Sequence, residues 1–95
     1  MDTDCKATIK ITNVNNRLCY NYSADGEYSV DTAKDIVNFV NRAIDCILEG
    51  DIYSAYEFIS LAGRSGKHNE ALLKIIFDVI GRHLYTKIKS SYYNN

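Results

Sequence analysis

The segment ALLKIIFDVI, residues 71–80, lies at the centre of a stretch from Asn69 to about Lys89 that has the spacing of one long helix. Its apolar residues recur every three or four positions, the stripe typical of a helix that packs on a core. Leu73 and Phe77 make a second side of the same helix apolar. We therefore expect this helix to need neighbours on more than one side, and in a chain of 95 residues most of the preceding sequence must supply them.

Residues 7–30 have the pattern of three short strands, because apolar and polar side chains alternate along them. Asn15 and Asn16 are expected to form a two-residue turn between the first two strands, since asparagine tolerates positive φ. Gly26 is expected to take the left-handed position of the second turn. These turns predict an antiparallel β-meander with the second strand in the middle. Its inner face would carry Ile9, Ile11, Leu18, Tyr20, Tyr22, Tyr28 and Val30.

Three helices are predicted to follow the strands. Asp31 is expected to cap the first helix and Gly50 to end it, while Asp51 and Gly63 bound a short second helix. The residues of the second helix that are expected to face the core are Ile52, Ala55, Tyr56, Ile59 and Ala62. Asn69 is expected to cap the third. The order βββααα predicts an α+β fold in which the three helices pack on one face of the three-stranded antiparallel β-meander.

Length and composition favour one domain over residues 1–95, with residues 1–6 and 90–95 expected to be frayed. The chain is 46% hydrophobic with a net charge of −1, which is ordinary for a globular protein. No apolar stretch reaches the ~20 residues that cross a bilayer, so we expect no membrane partner. Three cysteines without a regular spacing favour reduced thiols and a cytoplasmic location. The absence of Pro and Trp, with many Asn and Tyr, is associated with AT-rich genomes such as those of phages and viruses.

No motif in the chain carries recognisable chemistry, and we expect a protein that is not an enzyme and uses no cofactor or metal. The loop after the second helix, GRSGKH, lacks the spacing of a phosphate loop. Arg64 and Lys67 could still bind an anion beside the first amides of the third helix, although an ordinary interhelical loop explains the same residues. The cysteines and histidines have no metal-ligand spacing.

Aromatic and apolar residues outside the predicted core are the best candidates for a partner surface, because exposed apolar patches mark interaction sites. The alternative is that the third helix, sandwiched between two others, buries them all. The candidate residues are Phe39, Tyr53, Leu73, Phe77, Tyr85, Tyr92 and Tyr93.

The sequence therefore favours a small non-catalytic protein-binding module that acts stoichiometrically on a larger protein partner or on a second copy as a homodimer. A phage or viral antagonist or inhibitor of a host protein would fit this description. The alternative is a nucleic-acid-binding regulator that uses the basic end of the third helix, where residues 79–95 hold three basic and no acidic side chains.

Overall fold

A computed structural model describes residues 5–93 of the chain, and the side chains of residues 5–89. It confirms the α+β fold, with a three-stranded antiparallel sheet followed by three helices. The strands are β1 (Lys6–Ile11), β2 (Leu18–Tyr22) and β3 (Tyr28–Ser29).

The helices are α1 (Val30–Glu49), α2 (Ile52–Ser65) and α3 (Glu70–Tyr93). The predicted caps of α2 and α3 are confirmed. The Asp51 carboxylate accepts a hydrogen bond from the Ser54 amide at 3.1 Å, and the Asn69 side chain accepts one from the Leu72 amide at 3.1 Å. Both caps satisfy a backbone donor that has no partner within its helix.

The first helix begins two residues earlier than predicted, because Ser29 and not Asp31 is its cap. The Ser29 hydroxyl accepts from the Thr32 amide at 3.2 Å. Val30, expected on the inner face of a strand, is consequently the first residue of α1. The third strand therefore has only two residues.

The ends of α2 and α3 also lie beyond their predicted positions. Gly63 is a buried residue within α2, and Gly66 caps that helix through an amide that donates to the Ala62 carbonyl at 3.1 Å. Helix α3 continues past Lys89 to Tyr93, so part of the segment expected to be frayed is helical. Residues 1–4 and 94–95, expected to be frayed as well, lie outside the described part of the chain.

Helix α1, rather than α3, is the element around which the others pack. It contacts all three strands, α2 and α3. Opposite sides of α1 meet the sheet and α2, since Asn41 contacts β2 whereas Phe39 contacts Phe58 of α2. The side chains of α1 that are at most 1% exposed are Ala33, Ile36, Val40, Ala43, Ile44 and Ile47.

The predicted meander order is wrong, because the strands lie in the order β2-β1-β3 with β1 in the middle. Tyr28 pairs with Ala7 of β1, and not with Tyr22 of β2. Residues 23–27 must therefore cross the end of β1 to carry the chain from one edge of the sheet to the other. Tyr22, expected on the buried face, lies at the outer edge and is 74% exposed.

Gly26 allows this crossing because glycine has no side chain. Its φ is not positive, so the expectation that Gly26 takes the left-handed position of a turn is wrong. A Cβ atom on Gly26 would lie within 2.6 Å of the Ala7 nitrogen, so the two backbones are in direct contact. The Gly26 amide donates to the Ser23 carbonyl at 3.0 Å, which closes the connection into a tight turn. Only a residue without a side chain fits between this turn and β1.

The β1–β2 hairpin has a four-residue loop, 13–16, where a two-residue turn at Asn15-Asn16 was predicted. The Thr12 amide donates to the Arg17 carbonyl at 2.7 Å, and the Thr12 hydroxyl accepts from the Arg17 amide at 3.1 Å. Asn16 has a φ of 53°, in the left-handed region. The pairing is displaced by two residues, with Ile11 opposite Leu18, so the predicted apolar face is preserved.

One edge of the sheet is closed by a side chain from α1. The Leu18 amide and carbonyl point away from β1, because the hydrogen-bonded pairs of this hairpin fall at alternate positions. The Asn41 side chain accepts from that amide at 3.0 Å and donates to that carbonyl at 3.1 Å. It therefore replaces a neighbouring strand at this point and ties β2 to α1.

The hairpin loop is also attached to α3. Arg82 donates to the Asn16 side chain at 3.1 Å, and the Nε2 atom of His83 lies 2.9 Å from the Asn16 carbonyl. Arg82 also pairs with Asp78 on the same helix at 3.2 Å. These contacts hold the tip of the hairpin between α1 and α3.

Replacement of Gly26 by alanine is expected to lower the free energy of unfolding by about 1–3 kcal/mol, because the new methyl group overlaps the Ala7 backbone. Chemical denaturation measures the change. The neighbouring Asp25→Ala variant is the control and should stay within about 0.5 kcal/mol of the unmodified protein, since Asp25 is exposed. Equal stability of the Gly26→Ala variant would show that the connection does not cross β1 in this way.

The Asn41→Ala variant is expected to lose about 1–3 kcal/mol of stability, because the Leu18 amide and carbonyl lose their partner. Asn38→Ala is a matched control on the same helix, where the asparagine is exposed. Hydrogen exchange of the Leu18 amide should accelerate in the first variant and remain unchanged in the second. Unchanged exchange in both would refute the role given to Asn41.

Candidate functional site

A single close contact defines the sides on which α2 and α3 face each other. A Cβ atom on Gly63 would lie 3.4 Å from the Leu73 side chain, so these two residues mark the place where the helices meet. Residues three, four, seven and eleven positions apart lie on the same side of a helix. On α2, the residues on the side of Gly63 are Ile52, Tyr56 and Ile59. On α3, the side of Leu73 carries the buried residues Ile76 and Ile80, the half-buried Leu84, and the exposed Phe77 and Ile88.

Only part of each apolar side is exposed. On α2, Ile59 is half-buried, whereas Tyr56 is 71% and Ile52 53% exposed. On α3, Phe77 is 60% and Ile88 65% exposed. These exposed side chains flank the contact between Gly63 and Leu73. We give the name interhelical cleft to the exposed and half-buried apolar residues on the neighbouring sides of α2 and α3, which are Ile52, Tyr56, Ile59, Leu73, Phe77, Leu84 and Ile88.

The cleft lies over α1 and away from the sheet. Helix α1 packs against both α2 and α3, while α2 and α3 have little direct contact with each other. At the far end, Leu48 of α1 is 45% exposed, and its carbonyl accepts from Lys87 of α3 at 3.1 Å. The cleft is therefore bounded by three helices and is open on its outer side.

Several of the residues expected to bind a partner lie in or beside this cleft. Phe77 is on its wall, and Leu73 is half-buried at the contact that closes it. Tyr53 and Tyr85 are exposed on the outer sides of α2 and α3. Tyr92 and Tyr93 lie in the last turn of α3, and their side chains lie outside the described part of the structure.

Among the residues expected to bind a partner, Phe39 packs most clearly within the fold. It is half-buried, and its ring stacks on Phe58 with a centroid distance of 6.4 Å. The Arg42 guanidinium lies 6.0 Å from the centroid of Phe58. This cluster fastens α1 to α2 on the side away from α3.

Three residues of the cleft were not identified from the sequence as surface. Ile52 and Tyr56 were expected to face the core, and Ile88 was not singled out. Their spacing does carry a signal, because α2 has apolar residues at 52, 56 and 59 in addition to those that face α1. A helix with a wider apolar side than one neighbour can cover needs a second neighbour.

Arg64 and Lys67, the expected anion-binding pair, are not brought together. Lys67 lines a polar hollow beside Ser29 and Thr32, whereas Arg64 lines a different surface beside Tyr56 and Glu57. The turn that contains Lys67 is a helix end, in which the His68 amide donates to the Gly63 carbonyl at 2.8 Å.

The three basic residues near the end of α3 all have partners within the protein. Arg82 pairs with Asp78 and Asn16, and Lys87 donates to the Leu48 carbonyl. The Lys89 ammonium lies 5.9 Å from the centroid of the Tyr85 ring. Each of these cations therefore makes a contact near a helix end or with a neighbouring side chain. They do not form a row that could follow a phosphate backbone.

The titratable groups with shifted pKa values are explained by structural roles. Burial raises the pKa of the Cys46 thiol, and the carboxylates of Asp51, Glu49 and Asp45 raise it further. A thiol in this setting is a weak nucleophile at neutral pH. The hydrogen bonds from Ser54 lower the pKa of Asp51, as expected of a helix cap. Burial, and then the charge of Glu27, raises the pKa of Tyr28.

Among the described residues, no group of three or more His, Cys, Asp or Glu side chains is placed to hold a metal ion. No helix of that part of the chain has both the length and the apolar character needed to cross a membrane. Comparison of the chain with protein-family models, with curated proteins and with solved structures found no match.

Neighbouring residues on α3 provide a test of the cleft. Ile76 is fully buried, so Ile76→Ala should cost about 2–5 kcal/mol of stability. Phe77→Ala should cost less than about 1 kcal/mol, because most of that ring is already in contact with water. Urea denaturation of both variants measures the difference. A Phe77 variant as unstable as the Ile76 variant would place Phe77 in the core and close the cleft.

Proposed function

We propose that this protein is a non-catalytic protein-binding module and that its binding surface is the interhelical cleft. The observation that carries the proposal is the exposure of large apolar side chains on the neighbouring sides of α2 and α3, where Tyr56, Phe77 and Ile88 are each at least 60% exposed. An amphipathic helix of a partner fits such a groove, because it can bury an apolar side against both walls. The protein then acts stoichiometrically, by occupying the surface of a larger protein.

The chemistry of the cleft supports this proposal over a small-molecule site. Tyr56, Phe77 and Ile88 offer large apolar areas, and burial of apolar surface contributes roughly 25 cal/mol per Å². Tyrosine and other aromatic residues dominate the binding energy of many protein interfaces. A small-molecule site would need several convergent polar groups, and the side chains that line the cleft are apolar apart from the Tyr56 hydroxyl.

A small hollow elsewhere gives weaker support to an alternative function, the binding of a small molecule. A space of about 160 Å³ lies between β1, the turn at Asp25 and the beginning of α3. It is small compared with the roughly 300–1,000 Å³ of most ligand pockets. Its walls are Thr8, Ile9, Asp25, Glu27, Tyr28, Ala71, Leu72 and Ile75.

Site-specific photo-crosslinking tests the proposal in the cells that produce the protein. A photoreactive phenylalanine analogue at Phe77 or Tyr56 should form adducts with one predominant protein, identified by mass spectrometry. The same analogue at Lys10, which is exposed on the solvent face of the sheet, is the control and should give at most background labelling.

A second variant separates binding from folding. Changing Ile52 and Ile88 to serine should reduce the yield of adducts from Phe77 at least tenfold, while the far-ultraviolet circular dichroism spectrum is retained. Equal labelling from Phe77 and Lys10 would contradict a binding surface in the cleft. Labelling that survives the two serine substitutions would do the same.

A further inference from the structure

Gly81 occupies a position in α3 that nothing inside the protein explains. It is exposed, lies near the middle of the helix, and a Cβ atom there would have no neighbouring atom within 4 Å. Its φ is not in the left-handed region. Glycine in a helix interior costs about 1 kcal/mol relative to alanine. Nothing in the isolated chain therefore requires a small residue at this position.

The exposed residues of α3 are arranged symmetrically about Gly81. Phe77 and Tyr85 lie four residues before and after it, and Lys74 and Ile88 lie seven residues before and after it. All four are on the same side of the helix as Gly81, because these spacings are close to whole turns. Phe77, Tyr85 and Ile88 are each at least 60% exposed. An apolar surface with a glycine at its centre and a large side chain on either side is self-complementary.

We propose that α3 packs in an antiparallel arrangement against α3 of a second copy of the chain, with the two helices crossing at Gly81. In this arrangement Phe77 of each copy faces Tyr85 of the other, and the two glycines meet on the twofold axis. Such an isologous contact uses the same surface patch on both subunits. The proposal goes beyond the proposed function, because it places a second copy, and not a larger protein, on the outer side of α3. Phe77 and Ile88 belong to both surfaces.

Charge favours the antiparallel over the parallel arrangement. Residues 70–80 carry Glu70, Lys74 and Asp78, a net charge of −1. In the second half of α3, Arg82 and Lys89 are exposed cations, whereas Lys87 is turned towards the Leu48 carbonyl of α1. An antiparallel pair places the acidic half of each helix beside the basic half of the other, whereas a parallel pair places the two basic halves together. The helix dipoles are also opposed in the antiparallel pair. Each α3 is about 36 Å long, which is enough for a contact of several turns.

Charge substitution at Gly81 tests the twofold contact directly. Gly81→Lys and Gly81→Glu should each raise the dimer dissociation constant at least tenfold in sedimentation equilibrium of the full chain, because two like charges meet on the axis. An equimolar mixture of the two variants should recover dimer, since unlike charges then meet. Both substitutions improve helix propensity, so neither should lower the melting temperature of the monomer.

Gly81→Ala is the matched variant for size alone. It should stabilise the monomer by about 1 kcal/mol and still weaken the dimer, a combination that no role within one chain produces. Sedimentation of the unmodified protein as a monomer up to about 1 mM would overturn the proposal. A dimer that both charged variants retain would overturn it as well, and so would failure of the mixture to associate. A monomer whose Phe77 position still crosslinks to one different protein would overturn the second copy as occupant and leave the proposed function standing.

Discussion

The structure depends on the burial of α1 on two sides. A helix with an apolar stripe on one side needs one neighbour, but α1 has the sheet on one side and α2 on the other. Its buried residues include four large aliphatic side chains that are at most 1% exposed, Ile36, Val40, Ile44 and Ile47. The sheet is too small to fold without such a cover, and α2 has few other contacts. The positions of α2, α3 and the strands all follow from where they meet this helix.

Much of the fold could be predicted because the local signals agree with each other. Capping residues, glycines and helical spacing gave the number and order of the elements, and alternation gave the inner face of the hairpin. The two-residue error in register did no harm to that face, because side chains alternate with a period of two. The order of the strands could not be predicted in this way. It depends on a backbone contact between Gly26 and Ala7. Glycine has no side chain, so it adds nothing to the alternation of apolar and polar residues from which strands are predicted.

The candidate site was only partly predictable for a related reason. The sequence predicts that Phe77, Tyr53 and Tyr85 lie outside the core, and in the structure these three side chains are exposed. Phe39 was placed with them, although it stacks on Phe58. Ile52 and Tyr56 were placed in the core, although more than half of each side chain is exposed. Helical spacing shows which residues share a side, but the angle at which two helices diverge is decided by tertiary packing. Helices α2 and α3 meet at Gly63 and Leu73 and have few other contacts, so apolar side chains beside that contact stay exposed.

The attachment of the hairpin loop to α3 has a consequence for the order in which the molecule is assembled. Asn16 and Arg82 are 66 residues apart in sequence. The hairpin and the α1–α2 pair are local and can form while the chain is still being synthesised, since contacts between near neighbours close quickly. The loop cannot be fixed until the first half of α3 has been synthesised, because Arg82 and His83 lie near the middle of that helix. Until then, the side of α1 that α3 will cover is open to water.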